Sequence, residues 1–265
     1  MTDAEWMDQA LDEARAVRGT TTPNPAVGAV VVRGGHALGR GATRPVGGAH
    51  AEVMALAATR EAGHDPAGAT MYVTLEPCCH WGRTPPCTNA ILEAQISRVV
   101  VGTLDPFPAV QGRGIRLLQA AGVSVGLGVR EEACAQQIRG FARATLHGLP
   151  EVGVLRGPVE AAERGSWDAV VIDSATSAIA GAHRVVWLDG GPVPAALDSS
   201  VSRVLRPEPG TDPRIEVLPR GPDGMSIESV LRALVRAGLH RVLFQVSPRR
   251  TELLVASGFV DHEVG

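Results

Sequence analysis

The chain reads as an α/β protein with three layers in its first half and a second α/β domain after it. Three observations predict this: short β-branched runs alternate with segments of helical period, turn residues separate them, and 265 residues, at about 150 per domain, favour two domains. The first helix is expected over Asp3 to Arg18, where Trp6, Met7, Ala10, Leu11, Ala14 and Val17 fall on one face. Thr20 to Pro25 must then be extended, because Pro23 and Pro25 restrict the residues before them. Val27 to Val32 is a buried strand, Arg33-Gly34-Gly35 a hairpin turn and His36 to Gly39 the returning strand, with His36 exposed. Gly41 to Gly48 is a loop leading into a helix from His50 to Glu61. Met71 to Leu75 is the next strand, Thr88 to Gln95 a helix and Val99 to Gly102 a strand. A helix from about Gly114 to Ala121, a strand Val123 to Leu127 and a helix Glu131 to Leu146 complete the alternation, which places functional residues at strand ends.

Composition removes several classes of function. With 25 basic and 28 acidic residues the net charge is -3, which gives no electrostatic footprint for nucleic acid. Aromatic content of 3% argues against stacking platforms for single strands. No apolar run approaches the roughly 18 residues of a membrane span, and Met1 to Ala10 is polar and acidic, so a cytoplasmic location without membrane contact is expected. Four cysteines, three of them between residues 78 and 87, suit a metal site in a reducing compartment better than a disulfide framework.

The chemistry concentrates between His50 and Cys87. His50-Ala51-Glu52 supplies an imidazole and a carboxylate, and Pro77-Cys78-Cys79 with Pro86-Cys87 supplies thiolates. A hydrolytic zinc site uses three protein ligands and keeps one position open for water, and one His with two Cys meets that count. His-x-Glu followed by Pro-Cys is the signature of zinc deaminases, in which the Glu is a general acid/base and not a ligand. Glu52 therefore takes the catalytic role. Pro85 and Pro86 forbid a helix between the cysteines, so the second thiolate must arrive after a loop. Cys87, opening the next helix where partial positive charge favours a thiolate, joins His50 and Cys78 as a zinc ligand, leaving Cys79 a neighbour. The bland alternative is a set of ordinary buried cysteines.

These residues resemble the deaminase domain of the bifunctional riboflavin-biosynthesis deaminase/reductase family. The resemblance covers residues 3 to about 149. It runs through Thr22-Pro23-Asn24-Pro25, Val27-Gly28-Ala29-Val30, His50-Ala51-Glu52 and Tyr72-Val73-Thr74-Leu75-Glu76-Pro77-Cys78. It continues through Gly82-Arg83-Thr84-Pro85-Pro86-Cys87, Asp105-Pro106 and Gly112-Arg113-Gly114. It implies a cytidine-deaminase-like three-layer domain, Zn2+, and the substrate 2,5-diamino-6-(5-phosphoribosylamino)pyrimidin-4(3H)-one, whose ring amino group is replaced by oxygen with release of ammonia. It also implies dimers or larger homo-oligomers.

Similarity further places Asn24, Arg83 and Asp105 near the substrate, with Arg83 where Lys is commoner and able to meet a phosphate bidentately. Asn24 and Asp105 read equally as turn residues, and Arg83 as a solvated loop cation. Thr43 stands where the family often has His; it can donate a hydrogen bond but carries no charge near neutral pH. It therefore leaves room for a related aminopyrimidine or purine as substrate.

Leu149-Pro150 matches the linker into the family's reductase domain, so the domains are expected at 1–149 and 150–265, the second a shortened dihydrofolate-reductase-like unit. Strands are expected at Asp168 to Asp173 and Arg184 to Asp189, and a helix-strand unit over Ile227 to Val246. Arg206 to Gly210 and Leu218 to Pro222 are dividing loops. Where the family has a Lys-containing segment the sequence reads Val152-Gly153-Val154-Leu155-Arg156-Gly157. Where it has a Gly-rich turn for cofactor phosphates it reads Gln245-Val246-Ser247-Pro248-Arg249-Arg250, whose bulk and Pro248 keep backbone N–H groups from a phosphate. This half is expected to lack reductase activity and to serve as packing support, a dimer interface or a dock for a separate reductase. A non-catalytic partner protein is the alternative from outside enzymology.

Overall fold

In the computed structural model, residues 1–82, 84–108, 110–156, 165–172, 185–187, 204–205 and 227–264 are described. The chain divides into two compact units, Met1–Ala142 and Arg143–Gly265. In the first, helix α1 (Asp3–Ala16) opens with a capping box in which Thr2 and Glu5 satisfy each other's backbone N–H groups. Strands β1 (Gly28–Arg33) and β2 (His36–Ala42) form the hairpin, followed by α2 (Ala51–Glu61), β3 (Thr70–Leu75), α3 (Cys87–Glu93), β4 (Arg98–Thr103), α4 (Arg113–Ala120) and β5 (Ser124–Leu127). Helices α5 (Glu131–Gln137) and α6 (Arg139–His147) follow. The sheet order is β2-β1-β3-β4-β5, antiparallel from β2 to β3 and parallel from β3 to β5.

Strand alternation sorts the core into two faces. Val31, Met71, Val73, Val99 and Val101 join Leu56, Ile91 and Leu118 of α2, α3 and α4. Val30, Val32, Tyr72 and Val100 meet Trp6, Met7 and Leu11 of α1 and Cys134 of α5 on the other side. This is the three-layer arrangement expected. Two expectations are corrected. Strand β2 runs on to Ala42, where a loop was expected from Gly41, because Gly39 and Gly41 let it continue directly beneath α2. A Cβ on Gly41 would lie 2.4 Å from the Ala55 nitrogen and 2.7 Å from the Ala51 oxygen. The helix expected over Glu131 to Leu146 is two, parted at Ile138. Cys134 packs on one face of the sheet and Ile138 belongs to the core of the other, which a single straight helical stripe does not serve.

In the second unit, β6 (Glu151–Leu155), β7 (Ala169–Ile172), β8 (Val185–Trp187), β9 (Val204–Leu205), β10 (Arg241–Gln245) and β11 (His262–Val264) form a sheet ordered β11-β6-β10-β7-β8-β9. Every pairing in it is parallel. Helices α7 (Ile227–Arg236) and α8 (Pro248–Ala256) supply Leu231, Leu234 and Leu254 to its core. Pro248 occupies the first turn of α8, where its missing N–H costs nothing. At the N-terminal edge, buried Glu151 accepts from Arg241 Nε at 2.8 Å and pairs with His262 Nε2 at 2.6 Å, while the Arg241 guanidinium lies 4.6 Å from the Trp167 ring centroid. The loops expected at Arg206 to Gly210 and Leu218 to Pro222 lie outside the described residues. Among the described residues no helix is long and apolar enough to cross a membrane.

Candidate active site

The site forms where β3 and β4 end and α2 and α3 begin. β3 runs into Glu76-Pro77-Cys78, and the Cys78 carbonyl accepts the Thr88 N–H at 3.1 Å, folding the Pro-rich loop back so that α3 starts at Cys87. Pro86 caps that helix without a side-chain bond. The Cys87 N–H instead donates to the Cys78 sulfur at 3.2 Å. His50 is the N-cap of α2, and its ring makes no capping bond. It turns to the sulfurs, with Nδ1 3.2 Å from Cys87 Sγ and 3.6 Å from Cys78 Sγ. The three ligand atoms lie within 4.8 Å of one another.

The electrostatics follow from that crowding. Hydrogen bonds from Cys87 and His50 pull the Cys78 thiol down. The Cys78 sulfur and burial push the Cys87 thiol up, and hydrogen bonding to Cys78 raises His50. Two neighbouring sulfurs and an imidazole nitrogen close to both are a donor set for zinc, which would relieve the repulsion between the sulfurs when bound. The residues present fit that metal. Glu52, in the first turn of α2, is 4% exposed, and burial, reinforced by the Cys78 charge, holds its carboxyl up at about 7. Cys79 is half-buried and outside the cluster; partial burial raises its thiol.

A cavity of about 310 Å³ opens over these groups, lined by His50, Glu52 and Cys78 together with Asn24, Thr43 and Asp105. Asp105 serves in a turn as well, since Oδ1 accepts the Phe107 N–H at 2.8 Å; burial raises its carboxyl. The Thr43 hydroxyl is already engaged, accepting the Val27 N–H at 3.2 Å. Arg83 lies outside the described residues. The structure also places Glu76 and Phe141 in the cavity wall, neither singled out from sequence. Glu76 is 3% exposed and its carboxylate accepts N–H groups from Asp105 at 3.3 Å, Gly112 at 2.8 Å and Gly114 at 2.9 Å. The signal for it was an acidic residue in an otherwise apolar strand end. Phe141 gave none, because only the packing of α6 brings it there.

The zinc-binding region of cytidine and deoxycytidylate deaminases matches residues 1–103. A diaminohydroxyphosphoribosylamino-pyrimidine deaminase of Buchnera aphidicola is 39% identical over 150 residues, 57% of this chain and 100% of that protein. The chain belongs to the riboflavin-biosynthesis deaminase family. Within it, the riboflavin biosynthesis protein RibD of Aquifex aeolicus is 53% identical over 130 residues, 49% of this chain and 36% of that protein. The chain thus matches little more than a third of the length of that relative. The crystal form 2 of Acinetobacter baumannii RibD superposes with a TM-score of 0.74 at 28% identity, covering 98% of this chain and 84% of that one. The family's zinc requirement and the cluster of His50, Cys78 and Cys87 agree on the cofactor.

Proposed function

We propose that the protein hydrolytically deaminates 2,5-diamino-6-(5-phosphoribosylamino)pyrimidin-4(3H)-one, exchanging the ring amino group for oxygen from water and releasing ammonia. The observation that carries this is a buried carboxylate, Glu52, beside an imidazole and two sulfurs at the floor of a cavity large enough for a pyrimidine. His50, Cys78 and Cys87 would hold the zinc, which when bound would lower the pKa of a water toward neutrality. Glu52 accepts the proton lost by the attacking water, then delivers protons to the ring nitrogen and to the departing amine. Asn24 and Asp105, which line the same cavity as Glu52, orient the ring. The family resemblance assigns Arg83 to the phosphate. Similarity to a Buchnera relative that is named a deaminase and matched over its whole length supports this activity, and the match of the zinc-binding region to residues 1–103 falls within the first unit.

The second unit, on this reading, carries no reductase activity: α8 begins at Ser247-Pro248, where a phosphate turn would need free backbone donors. A cytoplasmic homo-oligomer working beside a separate reductase completes the reading, consistent with four free cysteines. The engaged Thr43 hydroxyl favours one second reading, a related aminopyrimidine or purine as substrate, since no imidazole stands at that point of the wall. Ammonia release by the zinc-loaded protein, compared on the phosphoribosylaminopyrimidine and on free aminopyrimidines, separates the two. Glu52→Gln must abolish release while zinc stays bound; undiminished release by that variant sinks the assignment.

A further inference from the structure

We propose that Glu76 is a positioning residue that holds Asp105 in the cavity wall. This rests on the deaminase reading above, since it concerns how that site is aligned. The carboxylate emerges at the end of β3, two residues before Cys78, and is buried. Its bonds go to backbone: Oε2 accepts the N–H of Asp105 and of Gly112, and Oε1 accepts the N–H of Gly114. A carboxylate has about four lone-pair sites and here spends three on one loop. That loop links β4 to α4 and carries Asp105 at one end and the N-terminus of α4 at the other, where partial positive charge favours an anion. Glu76 thereby ties the strand that delivers the zinc ligand to the loop that delivers Asp105. The Glu76 N–H adds a fourth bond across the same gap, to the Thr103 carbonyl at 3.0 Å.

The fit leaves no slack. A Cβ on Gly114 would stand 2.2 Å from the Pro77 carbonyl oxygen and 3.2 Å from Glu76 Oε1, so α4 can approach the carboxylate only through glycine. Gly112 takes a positive φ of 73°, which aims its N–H at Oε2 and is free of strain only without a side chain. Once the Asp105 amide is fixed, the Asp105 carboxylate has its own turn bond to the Phe107 N–H, and its remaining oxygen is directed by the backbone that Glu76 holds.

Glu76→Gln keeps the size but sets an N–H donor against N–H donors. At a temperature where the variant is fully folded, we expect zinc content unchanged and kcat/KM on the aminopyrimidine down at least about tenfold, chiefly through KM, the scale of one charge-assisted bond. In an Asp105→Asn background the same substitution should add less than about twofold, because the two residues act through one contact. Amide exchange at Asp105, Gly112 and Gly114 should accelerate in Glu76→Gln. Wild-type kinetics in Glu76→Gln, or its full effect persisting in Asp105→Asn, overturns the proposal, as does unchanged exchange. Absence of turnover in the wild-type protein instead removes the deaminase reading, while the exchange result still decides whether the clamp exists.

Discussion

Substituting Gly41 by Ala tests whether the close seat of α2 on β2 sets the geometry of the site. The new Cβ would lie 2.4 Å from the Ala55 nitrogen, 2.6 Å from Met54 Cβ and 2.7 Å from the Ala51 oxygen, against ordinary contact at 3.4 Å or more. Three atoms of the first turns of α2 must therefore retreat by up to about 1 Å, and two of them are backbone. The same helix carries Glu52, with His50 as its N-cap. Metal–ligand distances tolerate about 0.2 Å, and a displacement of about 1 Å at a catalytic group costs on the order of a hundredfold in rate. Overpacking adds about 1–3 kcal/mol of destabilisation. Gly41→Ala is expected to lose most bound zinc and to lower kcat/KM about a hundredfold on the zinc-loaded fraction. The assay is metal analysis, ammonia release and thermal unfolding on one preparation. Gly126→Ala in β5, whose Cβ would meet nothing nearer than 3.8 Å, is the control and should match wild type. A Gly41→Ala protein with stoichiometric zinc and at least half the wild-type rate would refute the reasoning.

Cys87→Ser should strip zinc and activity, whereas Cys79→Ser, outside the cluster, should keep both; metal content after gel filtration reads the difference, and equal losses would show the ligand assignment to be wrong. Chelation should lower the unfolding temperature, because a metal at about a hundred times its dissociation constant stabilises by about 2.7 kcal/mol; an unchanged melting curve would mean that the donors do not bind metal in the folded state. Asp3 is held down at about 2 by hydrogen bonds from Arg98 and Tyr72. Its folded value is depressed, so its contribution is complete above the unfolded value near 3.8 and is lost as pH falls toward 2. Both partners are more than a third exposed, which limits the contribution to at most about 1 kcal/mol. Asp3→Asn should accordingly flatten acid unfolding between pH 4 and 2, and a slope identical to wild type would remove that pair from the account.

The gathering of His50, Cys78 and Cys87 was legible because its logic is local. Pro85 and Pro86 ruled out a helix between the cysteines, and the start of α3 selected Cys87 over Cys79. The three layers were legible too, since Val30 to Val32 and Val99 to Val101 supply residues to both faces of a sheet. What stayed hidden depends on partners far along the chain. Glu76 looked like one letter of a motif, yet its bonds go to Gly112 and Gly114, and Phe141 reaches the cavity from α6, far along the chain. Ile138 breaks a helical pattern that composition alone supports, since its core is set by strands it does not adjoin in sequence. Thr43 was expected at the cavity and lies there, but its hydroxyl answers to Val27.

The manner in which α2 and α3 begin has a mechanical consequence. One starts at an imidazole and the other at a sulfur, and a second sulfur receives the opening amide of α3, so two helices of the same layer share a single anchor. A cation held there would pass a pull on either helix to the other, and binding it would tighten both.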